Sequence, residues 1–203
     1  MDYQAHWEKI YRTKQSWEVG WTQEIPETSL QLIQSFHLPK SAPIIDIGGG
    51  DSKLVDHLIK EGYLDITVLD ISVTAIEKAR MRLGKQADRI QWLVHEITSF
   101  QPARKYKIWH DRATFHFLIK EKQILKYLEI TTQAVDHHGF LMMGTFSTHG
   151  PDKCSGLEIR KYSEDTLPPL LNIGFEKIKC FTEDHITPFK TRQNFLFCSF
   201  RRK

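Results

Sequence analysis

The stretch Ile44-Ile45-Asp46-Ile47-Gly48-Gly49-Gly50-Asp51-Ser52 limits what this chain can fold into more than any other. Ile44 to Ile47 read as a short buried strand, the glycines as a turn, and Lys53 to Ile59 as a helix by their apolar spacing. Glycine reaches positive φ and lets a ligand approach with no Cβ in the way. The N–H groups that open the next helix face whatever negative charge sits there. A strand, a glycine turn and a helix in this order form a nucleotide-binding corner. A dinucleotide fingerprint reads Gly-x-Gly-x-x-Gly. Gly48 and Gly50 fit it, but Lys53 takes the third glycine position, where glycine permits close helix–strand packing. Asp65 to Asp70 read as a second strand, and Asp70 lies 20 residues after Gly50. An acid at that distance can accept hydrogen bonds from both ribose hydroxyls of an adenosine. It can also simply end a strand or cap the next helix, a role that Ser72 fills equally well.

The rest of the chain alternates strands and helices. Residues 1–36 form a helical, aromatic lead-in with His6, Trp7, Ile10 and Tyr11 on one face, then Trp17 and Trp21 in a polar loop, then a helix started by Pro26 with Leu30, Ile33 and Phe36 buried. A helix from Ser72 to Leu83 puts Val73, Ile76, Ala79 and Leu83 inward, between the stops Gly62 and Gly84. Ile90 to Val94 is the third strand and leads into His95-Glu96-Ile97-Thr98. Tyr106 to His110 is the fourth, followed by the densest chemistry in the chain, Asp111-Arg112-Ala113-Thr114-Phe115-His116. A helix from Glu121 to Asp136 would leave His137 and His138 at its C-terminus, where imidazolium suits the dipole. Phe140 to Phe146 is the fifth strand, and the loop 147–162 holds Cys154 at the ligand edge. Ser163 to Ile173 reads as a helix that Pro168-Pro169 shortens or bends. The last two strands, Phe175 to Thr182 and Gln193 to Phe200, are joined by too short a link for a crossover helix, so they pair antiparallel.

The pattern Asp46-x-Gly48-x-Gly50, with an acid ending strand 2, resembles motif I of the class I S-adenosylmethionine-dependent methyltransferases. Trp109-His110-Asp111-Arg112-Ala113-x-Phe115-His116-Phe117-Leu118 resembles a group of small bacterial methyltransferases, and more distantly a loop of seven-strand protein-lysine methyltransferases. Arg112-Ala113 and His116 depart from the Lys-Gly and second acid of that loop. The resemblance implies an α/β, Rossmann-like fold. It has a seven-stranded, mostly parallel sheet with an antiparallel last strand and helices on both faces. It spans one domain, 1–203, with the lead-in 1–36, a cofactor-binding core 43–146 and a substrate-side segment 147–203. It implies S-adenosyl-L-methionine as cofactor, with Asp46, Gly48, Gly49 and Gly50 at its methionine part, Asp70 at the ribose, Glu96 and Ile97 at the adenine, and Ile71 also among the cofactor-binding residues. Asp111 joins that set, and so do Tyr11 and Trp21, which as large aromatics of the lead-in either roof the cofactor or substrate site or plug the open side of the sheet. His110, Asp111 and His116 are the candidate catalytic residues, with His110 or His116 toward the substrate and Asp111 orienting the loop or the cofactor.

Alternatives remain at this level. His110, His116 and Asp111 could bind a metal or serve only as loop scaffold; the favoured reading has no metal. An NAD- or nucleotide-dependent enzyme is opposed by Lys53, and a cofactor-binding scaffold without turnover keeps the same residues. The acceptor is open between a small molecule and a protein lysine. A net charge of +3 and the lack of a basic, aromatic stripe speak against nucleic acid. The lack of an 18-residue apolar run or a signal pattern points to the cytoplasm, away from membranes. Cys154, Cys180 and Cys198, three and widely spaced, read as reduced thiols.

Overall fold

In chain order the structure, a computed structural model that describes residues 2–203, comprises the following principal elements. The lead-in forms α1 (Tyr3–Thr13) and α2 (Glu27–Ser35). Then come β1 (Ile44–Ile47), α3 (Leu54–Lys60), β2 (Ile66–Asp70), α4 (Val73–Leu83), β3 (Ile90–Val94), β4 (Tyr106–Arg112), α5 (Glu121–Ala134) and β5 (Val135–Phe146). A two-residue pair, β6 (Lys153–Cys154) and β7 (Leu157–Glu158), precedes β8 (Phe175–Ile186) and β9 (Arg192–Arg202). One seven-stranded sheet runs in the order β3-β2-β1-β4-β5-β9-β8. Every neighbouring pair from β3 to β5 is parallel, and only β9 is reversed. This is the mostly parallel sheet expected from the resemblance. Among the described residues, no helix is long and apolar enough to cross a membrane.

The period-2 alternation of strands decides what each face of the sheet carries. Ile44, Ile66, Val68 and Ile108 pack with Leu30, Ile33, Leu54 and Leu58 of α2 and α3. Ile45, Ile47, Leu69 and Trp109 pack on the other face, with Ile124, Tyr127 and Ile130 of α5. Both faces are covered, so β1 and β2 are buried along their whole length, as the apolar runs required. At the end of β4 the same alternation sends His110 and Arg112 toward the face of the lead-in and Asp111 toward α5.

Four local features depart from the sequence expectations. The expected helix from Ser163 to Ile173 is a single 3-10 turn, Pro168–Leu171, because two consecutive prolines have no N–H to give a helix. α5 stops at Ala134 and β5 starts at once, so His137 and His138 lie in the strand and not at a helix end. There the pairing with β4 is irregular: Tyr106 opposes Val135, while Ile108 already opposes Phe140. Val73 is 43% exposed, and Ala75 takes its place in the buried stripe with Ile76 and Ala79. β8 and β9 extend beyond their expected ends on both sides of the link, as one long hairpin.

The cysteines are not all thiols. Cys180 and Cys198 sit directly opposite each other in β8 and β9 and form a disulfide, with Cα atoms 4.2 Å apart; Cys154 is free and buried. The pair is 18 residues apart, and only the hairpin register brings the two together. Closing a loop of this length restricts the unfolded chain by about 3 kcal/mol. Reduction with dithiothreitol, or Cys198→Ser, is expected to lower the midpoint of thermal unfolding by roughly 5–10 °C. Equal midpoints for oxidised and reduced protein would show that the bond adds nothing to stability.

Candidate active site

The carboxyl ends of β1, β2 and β4 open into two clefts roofed by the lead-in. The first is lined by Asp70, Ile71, Glu96 and Ile97 on one side and by Trp7, Phe117 and Cys154 on the other. The second is lined by Asp46, Gly48, Gly49, Ser29 and His110. They meet at Tyr11, Trp21, Gly48, Arg112 and Ala113. The space in and before the first cleft amounts to about 860 Å³, open solvent included.

Two glycines make the floor. Gly48 has φ +65°, and a Cβ there would lie 1.9 Å from Thr114 Oγ1. Gly50 has φ +44°, and its Cβ would lie 2.7 Å from Tyr11 Oη and 2.8 Å from Asp70 Oδ2. No other residue fits either position without moving the β4 loop or the acid.

Asp70 is buried at the tip of β2. Its Oδ1 accepts from Ser72 N–H at 2.8 Å, while Oδ2 lies beside Gly50. Burial pushes its carboxyl up to about 7, against the pull of the Ser72 N–H and with a further push from Asp46. The cap of α4 is Ser72, whose hydroxyl accepts from Ala75 N–H at 3.1 Å, so Asp70 is not spent on that role. Glu96 accepts from the Thr98 hydroxyl at 2.6 Å, and Ile97 is buried against the core.

Asp46, His110 and Ser29 form a buried chain. His110 Nδ1 is 2.6 Å from Asp46 Oδ1, and Nε2 is 3.0 Å from Ser29 Oγ. A carboxylate only accepts, so Nδ1 donates to Asp46, and Nε2 is left to accept from the Ser29 hydroxyl. The imidazole thereby ties α2 to β1. Asp111 faces the other way. It accepts from Tyr127 Oη–H at 2.6 Å and from the N–H groups of Thr114 at 3.0 Å and Phe115 at 3.2 Å. Trp109 Nε1–H donates to Tyr127 Oη in turn, at 3.0 Å. Burial outweighs these donors and raises the Asp111 carboxyl to about 6.

His116 lies outside both clefts. Its ring stacks on Phe146 at 4.6 Å, and Nδ1 accepts from Phe146 N–H at 3.4 Å. Burial, with the nearby Arg112 charge, lowers it to about 3, so it is neutral. The unfolded side chain titrates near 6.5, so the unfolded state binds the extra proton first. Stability from the neutral ring is complete above that value and is lost as pH falls from 6.5 toward 3, about 2 kcal/mol of it by pH 5. His116→Phe keeps the stack and is expected to flatten the acid limb of the stability curve. Unchanged pH dependence of unfolding midpoints between pH 4 and 7 would reject this account.

Arg112 reaches over Gly144 and lies 4.7 Å above the Phe195 ring. Nη1–H donates to the Trp21 carbonyl at 3.0 Å, while Nε and Nη2 are buried with no hydrogen-bond partner among the described residues. The Cys154 thiol is pushed up to about 11 by burial, so it stays protonated. Trp7 meets Trp21 and Phe117 edge-on, at 5.7 and 5.1 Å, and closes the roof.

The expected residues thus divide into three groups. Tyr11, Trp21, Asp46, Gly48, Gly49, Asp70, Ile71, Glu96, Ile97 and His110 line the clefts. Gly50 lies under Tyr11 and Asp70, while Asp111 and His116 stand behind the cleft walls. Ser29, Thr114 and Phe117 are cleft residues to which the sequence reading gave no role, Trp7 had been placed only on the lead-in face, and Arg112 stood in the β4 loop with no role of its own. For Arg112 a signal existed: it shares the side-chain parity of His110 on β4.

Residues 44–139 match the family model described as a methyltransferase domain. The chain is 25% identical over 134 residues to the mouse (Mus musculus) eEF1A lysine and N-terminal methyltransferase, a match over 64% of this chain and 18% of that protein. It is 27% identical over 113 residues to malonyl-[acyl-carrier protein] O-methyltransferase 2 of Ilyobacter polytropus, over 54% of this chain and 40% of that one. The chain therefore spans less than half the length of these curated relatives. Among solved structures, the N-methyltransferase NodS of Bradyrhizobium japonicum WM9, in complex with S-adenosyl-L-homocysteine, superposes with a TM-score of 0.74. That match has 17% identity and covers 98% of this chain and 97% of the other, a likeness of fold.

Proposed function

The chain carries a methyltransferase domain over residues 44–139, and from that premise we propose that it binds S-adenosyl-L-methionine across the two clefts and transfers its methyl group to an acceptor. Asp70 carries this reading. It is a buried carboxyl that the helix cap does not use, with Oδ2 beside a glycine turn that tolerates no Cβ.

The residues present fit the cofactor. Asp70 would take the ribose hydroxyls, Glu96 and Ile97 the adenine, and Asp46 with the turn of Gly48, Gly49 and Gly50 the methionine part. Bound there, the cofactor supplies a methyl group already activated on a sulfonium. Tyr11, Trp7 and Trp21 exclude water from the junction of the clefts. Asp46 and Ser29 hold both nitrogens of His110, so the imidazole positions the lead-in and β1 and is not free as a base. Asp111 holds the N–H groups of the β4 loop, a positioning role. The chain's contribution is orientation and desolvation, with no nucleophile of its own.

By their names, one relative methylates lysine and the N-terminus of eEF1A and the other is an O-methyltransferase of malonyl-[acyl-carrier protein]. The acceptor here is a small molecule or a protein lysine. The cytoplasm is the expected compartment. The primary test is calorimetric titration with S-adenosylmethionine, S-adenosylhomocysteine and NAD. Micromolar binding of the first two and none of the third is expected. Binding of NAD alone would overturn the assignment of the glycine turn.

A further inference from the structure

Among the described residues Arg112 forms no ion pair at the junction of the two clefts; the charges of Glu183 and Asp46 reach it only through space. Its candidate partners are already engaged: Asp46 is bonded to His110, and Glu183 accepts from the Thr28 hydroxyl. One edge of the guanidinium is fixed by the Trp21 carbonyl and one face by the Phe195 ring, which leaves Nε and Nη2 buried and unpaired. A buried donor left unsatisfied is costly, more so when it is charged. Nε and Nη2 also form the pair of parallel donors that matches the two oxygens of a carboxylate.

We propose that Arg112 binds a carboxylate of the methyl acceptor, so that the acceptor is a small organic acid and not a lysine side chain. This rests on the methyltransferase reading above.

Strand order sets the acceptor beside the cofactor, on the side toward β5 and β9. Asp70 and the glycine turn stand at the ends of β2 and β1, on one side of β4. Arg112 leans to the other side: its Cγ lies over Gly144 of β5 and its guanidinium over the ring of Phe195 in β9. Next to it the first cleft is walled by Trp7, Trp21, Phe117 and the neutral Cys154 thiol, a lining for an apolar body attached to the acid. A lysine ammonium would meet an unpaired like charge there. Burial lowers Arg112 only to about 10, so it carries its charge at neutral pH. Neither His110 nor His116 is free to take a proton from the acceptor, and an acid that arrives ionised needs no such help.

The test uses the full chain saturated with S-adenosylhomocysteine and follows the Arg112 Nε–H resonance by nitrogen–proton NMR. The probes are phenylacetate, 3-phenylpropionate and their neutral amides. The carboxylates are expected to shift that resonance saturably and the amides to leave it in place. In Arg112→Met, carboxylate affinity measured by calorimetry is expected to fall roughly ten- to hundredfold, the weight of hydrogen bonds to a charged partner, with Arg112→Lys in between. S-Adenosylhomocysteine affinity in both variants is expected within about threefold of wild type, the spread of a site that has lost no direct contact. A loss there of tenfold or more would assign the guanidinium to the cofactor and overturn the proposal. So would amides that bind as well as acids, or a resonance that none of the acids moves. A wild-type protein that binds no S-adenosylhomocysteine removes the methyltransferase reading itself, whereas binding without a carboxylate response removes this inference alone.

Discussion

Asp70→Asn is expected to weaken S-adenosylhomocysteine binding about a hundredfold, because two hydroxyl donors lose a charged acceptor worth roughly 1.5–3 kcal/mol for each bond. The fold should survive, since Asn keeps the shape and the oxygen that takes the Ser72 N–H. The same change should stabilise the ligand-free protein at alkaline pH. The carboxyl titrates near 7 in the fold and near 3.9 in the unfolded chain. The folded state therefore holds its proton more tightly. Stability linked to that proton is complete below about 4 and is lost as pH rises through 7, by ~4 kcal/mol in the limit. Asn mimics the protonated form and escapes that loss. Ligand affinity runs the opposite way: the ribose needs an ionised acceptor, so wild-type affinity should rise from pH 6 to pH 8. Equal affinity of Asp70→Asn and wild type at pH 8 would sink the ribose assignment.

Asp111→Ala is expected to cost about 3–5 kcal/mol of stability, as three buried donors lose their acceptor at once. These are the Tyr127 hydroxyl and the N–H groups of Thr114 and Phe115. For a domain of this size the unfolding midpoint should drop by about 10 °C, and the β4 loop should lose its shape before the sheet does. Asp111→Asn should cost much less, because one oxygen still accepts from the backbone and the Tyr127 hydroxyl can turn to accept from the amide. Thermal unfolding and S-adenosylhomocysteine titration of both variants separate positioning from chemistry. An Asp111→Asn protein with wild-type stability and binding but no methyl transfer would return Asp111 to the reacting centre.

These two carboxylates mark where the sequence was legible and where it was not. Asp70 could be read because everything that places it is local: one strand, one glycine turn and a fixed separation from Gly50. The strands themselves were likewise legible, since each carries its apolar pattern within itself, while their mostly parallel arrangement came from the resemblance. At the end of β4, locality fails. His110, Asp111 and Arg112 are neighbours in sequence, but alternation sends the middle one to α5 and the outer two to the lead-in. Which face holds the site depends on the helices that cover each. His116 looked like a substrate-facing base and is packed against Phe146 for the same reason. The Cys180–Cys198 bond needed the register of a hairpin whose strands run farther than their apolar cores. At residues 135–139 the chain turns from helix to strand with no stop residue between, so the start of β5 was read as the end of α5.

α1 supplies Tyr3, Trp7 and Tyr11 to the roof of the site, yet none of its residues is fully buried. Its polar ties to α4 are Glu8, which accepts from the N–H and hydroxyl of Thr74 at 3.3 and 2.5 Å, and the Lys14 carbonyl, which accepts from Lys78 at 2.9 Å. A helix held this lightly opens without the sheet, so its amides should exchange with solvent faster than those of β1 or β4. A ligand beneath it binds only the closed form. Slowed deuterium uptake across residues 3–13 should thus register occupancy of the clefts from the outside, for any ligand, with no need to know what is being methylated.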